Sequence, residues 1–140
     1  MTQLNIAFLL LALMIVACNT QTRNQSRQDT DFKDYAYYGD PNYLTTAMEY
    51  DKVDQKPEVL HKEYPHYPDL ARRNWIQGKV IVQCVLDESG NVIYAETIKP
   101  VTGLNEVSIE ALLKSTFKPA IHNGKPVKVI WDIPYDFRLN

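Results

Sequence analysis

Apolar and polar positions alternate from Lys79 to Leu86, with Val80, Val82, Cys84 and Leu86 on one parity. A period of two marks a half-buried strand. Asp87-Glu88-Ser89-Gly90-Asn91 follows as a turn with a glycine for a positive φ, and Val92 to Ile98 returns as a second strand. The pattern predicts a β-hairpin. From Asn105 to Thr116 the period lengthens, and Leu104, Val107, Ser108, Ala111 and Leu112 form one helical stripe with Asn105 as its N-cap. That helix should cover one face of the sheet. Phe117-Lys118-Pro119-Ala120 closes it, and Asn123-Gly124 turns the chain into a last strand over Val127 to Leu139. Val127, Val129, Trp131 and Ile133 share a parity there, Pro134 interrupts, and Tyr135, Phe137 and Leu139 continue the alternation. A proline cannot donate to a strand ladder, so this strand is expected at an open edge.

Upstream, Tyr64-Pro65-His66-Tyr67-Pro68 holds the backbone extended, because a residue before proline avoids the helical region. A short helix then starts at Pro68, with Asp69 at its positive end, Leu70, Asn74 and Trp75 at helical spacing, and Gly78 as its terminator. The expected fold class is α+β, a small antiparallel three-stranded sheet packed on two helices, over residues 53–140.

The N-terminal pattern is different. Ile6 to Ala17 is an unbroken apolar run, shorter than the about 20 residues a membrane-spanning helix needs. It fits the hydrophobic part of a secretory signal peptide, although Met1 to Asn5 holds no Lys or Arg. The run ends in Ile15-Val16-Ala17-Cys18, which resembles the bacterial lipobox. Residues 1–17 are therefore expected to be a lipoprotein signal peptide, with Cys18 the site of lipid attachment. Residues 18–52 read as a tether. From Asn19 to Asp34 they are too polar to bury a core, and a coil of roughly 20 residues reaches only about 25 Å. The second half of the tether holds Tyr35, Tyr37, Tyr38, Tyr43 and Tyr50. These rings are expected to pack on the following domain with their hydroxyls in water; the alternative is an aromatic contact surface for cell-wall polymer or a partner protein.

Composition narrows the function. The 140 residues carry 15 basic and 17 acidic side chains, a formal net charge of −2, which gives no basic surface for nucleic acid. With Cys18 acylated, Cys84 has no partner in the chain and should be a small buried hydrophobe. His61, His66 and His122 match no metal-binding spacing, and there is no phosphate loop and no nucleophile with a recognisable base. No catalytic residue, metal or cofactor is expected, and an enzyme is not.

One set of marks remains. Tyr67-Pro68 with Ala71, Gly78, Asp87 to Gly90, Phe117-Lys118-Pro119-Ala120, Gly124-Lys125-Pro126-Val127, and Pro134 with Phe137 follow one another in fixed order. Together they resemble the C-terminal domain of the TonB family, over roughly the last 75 of the 140 residues. The resemblance implies a periplasmic module that grips outer-membrane transporters, its last strand pairing with a short receptor peptide by β-strand addition. It implies peptide contacts at Tyr67, Pro68, Val127, Val129, Trp131, Ile133 and Tyr135; for Trp131, core packing is the competing role. Partners implied are an outer-membrane TonB-dependent receptor and, for a motor-coupled member, ExbB and ExbD reached through a spanning helix. That helix carries a His in the family, whereas Ile6 to Ala17 holds no polar side chain, and the family's long Pro-rich spacer is missing. The expected form is a lipid-anchored adaptor of the cell envelope with a periplasmic domain. Asn19 after the cysteine points to the outer rather than the inner membrane. The alternative is a structural envelope lipoprotein without a transport role.

Overall fold

The computed structural model describes residues 37–140. The expected signal peptide, Cys18 and the first part of the tether, with Tyr35, lie outside the described residues. In chain order the elements are β1 (Tyr37–Gly39), α1 (Tyr43–Thr46), β2 (Met48–Glu49), a 3-10 turn (Tyr50–Lys52), β3 (Glu58–His61) and α2 (Asp69–Arg73). Then come β4 (Gly78–Leu86), β5 (Val92–Lys99), α3 (Asn105–Lys114), β6 (Thr116–Lys118), β7 (Ala120–His122), β8 (Lys125–Val127) and β9 (Val129–Phe137).

The class is α+β, but the main sheet has five strands in the order β1-β5-β4-β9-β2, where three were expected. The predicted hairpin and last strand form its centre. β4 pairs antiparallel with β5 and with β9, from Gly78 opposite Phe137 to Leu86 opposite Val129. The two added strands come from the tyrosine-rich segment. β1 pairs antiparallel with β5, and β2 pairs parallel with β9. At three and two residues they are too short to show any period, which is why alternation did not reveal them.

The predicted parity sets the core. Val80, Val82, Cys84 and Leu86 are fully buried and meet Val129, Ile133, Tyr135 and Phe137 of β9 and Leu104, Ile109 and Leu112 of the helical region. The opposite parity carries Val85 and Tyr94, which pair across β4 and β5 and are also buried. Residues 40–47 join the two outer edges of the sheet, so this short link has to cross its width. β3 and β6 pair beside the main sheet, and β7 and β8 form a small hairpin. That hairpin turns at Asn123 and Gly124, whose φ values of 51° and 73° suit the two-residue turn that matches strand twist.

Two local expectations change. Asn105 is the first residue of α3 and not its cap; its Oδ1 accepts the Val101 N–H at 2.7 Å. α2 stops at Arg73, well before Gly78, because Trp75 takes the left-handed conformation at φ 54°. The Ile76 N–H reaches back to the Ala71 carbonyl at 2.9 Å and that of Trp75 to Arg72 at 3.2 Å, the paired bonds of a Schellman ending.

Candidate functional site

Along a strand, the N–H and C=O of one residue point to the same side and those of the next to the other. The Lys128 carbonyl accepts the Met48 N–H at 2.9 Å, so the even-numbered backbone groups of β9 point away from β4. Pro134 obeys this rule. It stands opposite Ile81 in the ladder, and its outward carbonyl accepts Lys62 Nζ at 3.1 Å. Its missing N–H therefore falls on the outer side and costs the β4 pairing nothing.

The expected open edge is narrower than the sequence suggested, because β2 lies against Val129 and Ile130. Two hollows flank β9 and meet at Trp131 and Asp132. One, of about 110 Å³, lies towards β3 and β6 and is lined by Val59, Lys62, Phe117, Trp131 and Tyr135 among others. The other, of about 430 Å³, is wider and is lined by Glu49, Tyr50, Asp51, Gln83, Trp131 and Asp132 among others. Trp131 stacks on Tyr50 with ring centres 5.5 Å apart and planes at 20°, and meets Phe117 edge-on at 5.9 Å. Lys56 Nζ sits 4.6 Å from the centre of the Tyr50 ring, so this ring meets both a cation and an indole.

Residues 63–139 match the family model described as the Gram-negative bacterial TonB protein C-terminal. The chain belongs to the TonB C-terminal family. It is 33% identical over 89 residues to the protein TonB of Vibrio cholerae serotype O1, a match that takes in 62% of this chain and 36% of that protein. The chain thus aligns with about a third of that relative's length. Met48, Tyr50 and Lys62, which frame the β9 edge, precede residue 63 and stand outside the stretch that matches the TonB family model.

Within this TonB C-terminal domain the residues singled out in the sequence fall into three groups. Trp131, Ile133 and Tyr135 come together around the smaller hollow. Trp131 is partly exposed, whereas Ile133 and Tyr135 turn their side chains into the core. Burial pushes the Tyr135 phenol up to about 12, with Ser115 pulling the other way. The Ser115 hydroxyl is already committed, donating to the Ala111 carbonyl and accepting from the Glu63 N–H, and the Tyr135 hydroxyl has no well-formed hydrogen bond among the described residues. Lys62 Nζ sits 4.9 Å above the Tyr135 ring.

The second group lies apart from the hollows. Tyr67 meets Phe137 edge-on at 5.5 Å and donates its hydroxyl to the Ile76 carbonyl, while Pro68 opens α2 in an extended conformation. These two fix the helix against the far end of β9. Val127 belongs to β8, opposite Ala120, and Val129 is buried beneath the start of the edge. The third group is Cys18, outside the described residues.

Sequence reasoning missed Met48, Lys62 and Asp132. Only the tyrosine cluster hinted that the segment before residue 53 joins the site. Of the tyrosines expected to pack on the domain, Tyr43 lies beneath Lys128 Nζ at 5.6 Å and Tyr50 stacks on Trp131, whereas Tyr37 and Tyr38 are exposed. Cys84 is buried, and burial with the nearby Asp132 carboxylate raises its thiol to about 12, far from a reactive thiolate. His61 pairs with Glu63 at 3.2 Å and His122 with Asp54 at 3.3 Å. Among the described residues no group of three or more His, Cys, Asp or Glu is placed to hold a metal ion.

Proposed function

We propose that this chain is a TonB-like periplasmic binding module that serves transport across the bacterial outer membrane without catalysing a reaction. It takes up an extended receptor peptide by strand addition along the outer side of β9. The observation that carries this reading is the outward backbone of Asp132, next to Pro134 and between the two hollows. Main-chain bonds of about 1 kcal/mol net each face an association cost of roughly 4–15 kcal/mol. Side chains must therefore supply the rest, and Trp131, partly exposed where the two hollows meet, offers such area. Binding should be modest and reversible, as a carrier that releases its partner requires.

The chain works as an adaptor held at a membrane by lipid on Cys18, with its domain in the periplasm and the outer membrane the preferred anchor. Among the described residues no helix is long and apolar enough to cross a membrane.

Two experiments test it. Calorimetric titration with synthetic peptides from the periplasmic N-terminal segments of the bacterium's outer-membrane transporters should give saturable binding that Asp132→Pro abolishes. Binding that survives this substitution, or none to any peptide, sinks strand addition at β9. Intact mass of the membrane-extracted protein should show loss of residues 1–17 and acylation at Cys18, and an unmodified full-length mass sinks the anchor.

A further inference from the structure

The outer side of β9 is already partly occupied by the chain itself. β2 runs parallel to β9, with Met48 beside Val129 and Glu49 beside Ile130, the Lys128 carbonyl accepts the Met48 N–H, and Lys62 Nζ donates to the Pro134 carbonyl. Between these two contacts only the N–H and C=O of Asp132 face outwards. One residue cannot set the register of an added strand, which needs several main-chain bonds in sequence. We infer that the segment Met48–Lys52 is an internal competitor, which occupies the receptor strand's place on β9 and must leave before a receptor peptide can pair there. The inference rests on the strand-addition reading and adds its regulation.

The segment is built to leave without unfolding the domain. None of residues 48–52 is buried. It is held by a two-residue ladder, the stack of Tyr50 on Trp131, Met48 packed partly buried against the core, and Lys56 Nζ, which donates to the Tyr50 carbonyl and pairs with Asp51 at 3.6 Å. Anchors lie on both sides of it. Upstream, β1 is paired to β5. Downstream, Val53 is buried, and Gln55 exchanges both backbone bonds with Ile121 at 2.9 and 3.0 Å. When Met48–Lys52 lifts, the chain stays fixed at these two points, so the segment returns at high local concentration. Lifting uncovers the Ile130 backbone and one face of Trp131 at once, which makes the freed surface a continuous strand edge with an aromatic platform. Met48–Lys52 precedes the stretch that matches the TonB family model.

Hydrogen exchange on the full chain, with and without a saturating synthetic transporter peptide, tests this directly. In the free protein the Met48 amide, bonded to the Lys128 carbonyl, should be protected; on peptide binding it should lose protection while Asp132 gains it. Tyr50→Ala, which removes the stack on Trp131, should bind the same peptide roughly five- to tenfold more tightly, the scale of one aromatic pair. If Met48 keeps its protection in the bound state and Tyr50→Ala leaves the affinity unchanged, the competitor is refuted and strand addition stands. If neither the wild type nor Tyr50→Ala binds any peptide, strand addition itself fails and the competitor fails with it.

Discussion

Pro134 stands opposite Ile81 in the middle of the β4–β9 ladder, with its carbonyl turned outwards to Lys62 Nζ. Proline is tolerated there because the even-numbered positions of β9 donate nothing to β4. The neighbouring odd position is the opposite case, since Ile133 pairs with Val82 and turns its backbone inwards. Ile133→Pro should therefore remove a ladder bond and leave a buried acceptor, at a cost of at least about 2 kcal/mol. Asp132→Pro should lose only the Gln83 side-chain bond at 3.0 Å and remain folded. Urea unfolding of the two variants, followed by circular dichroism, checks the contrast, and equal stabilities would contradict the assigned parity.

Gly90 links the β4–β5 turn to the aromatic cluster beside β9. Its φ is 85°, and a Cβ at this position would lie 2.2 Å from the Phe117 carbonyl oxygen. That contact is with backbone and cannot be relieved by rotating a side chain. Gly90→Ala should cost about 3 kcal/mol, combining a left-handed alanine with overpacking. Because Phe117 meets Trp131, the variant should also perturb tryptophan fluorescence in the folded state. A midpoint within a few tenths molar urea of wild type would refute the close approach.

The parts of the fold legible in the sequence are those where one force acts along several residues. Val80 to Leu86 and Val129 to Ile133 alternate because one face of the sheet is buried, and Leu104, Ser108, Ala111 and Leu112 share a stripe because α3 covers that face. β1 and β2 were not legible. Their strand character comes from partners already in place on β5 and β9, and Met48-Glu49 carries no period of its own. Leu70 falls at helical spacing yet is exposed, because α2 ends at Arg73 and buries only Ala71. At the candidate site Trp131 and Tyr135 were visible as large rings on the last strand. Lys62, which reaches Pro134 across 72 positions of sequence, was not.

The Asp87 carboxylate organises the hairpin turn. It accepts the backbone N–H groups of Ser89 at 2.9 Å and Asn91 at 2.8 Å, and the Asn91 side chain at 3.1 Å. Partial burial alone would raise its pKa, but these bonds and one from Gly90 win and hold it below the ordinary carboxylate value. A carboxyl with a lowered folded pKa binds protons more weakly when folded. Its contribution is thus complete above the unfolded value of about 3.9 and is lost as pH falls through the folded one. Asp87→Asn should cost about 1 kcal/mol at pH 7, a figure kept small because the site is solvent-screened. The difference between variant and wild type should shrink below about pH 4. Urea midpoints at pH 7 and pH 3 read this, and a constant difference would contradict the assignment.

Trp75 is held at φ 54° by the Schellman ending of α2 while the residue is 70% exposed. A left-handed L-residue costs roughly 1–2 kcal/mol, and little buried area repays it here. Glycine takes this conformation without the Cβ penalty but loses more chain entropy on folding, by roughly 0.5–1 kcal/mol. Trp75→Gly should therefore leave the domain stabilised by about 0.5–1 kcal/mol, with the Ile76–Ala71 bond intact. For a domain of this size that corresponds to a rise of about 3–6 °C in the melting midpoint, measurable by calorimetry. A fall in the midpoint would mean that the indole contributes packing beyond its small contact area, which would move Trp75 from the helix ending into the structure's supporting surface.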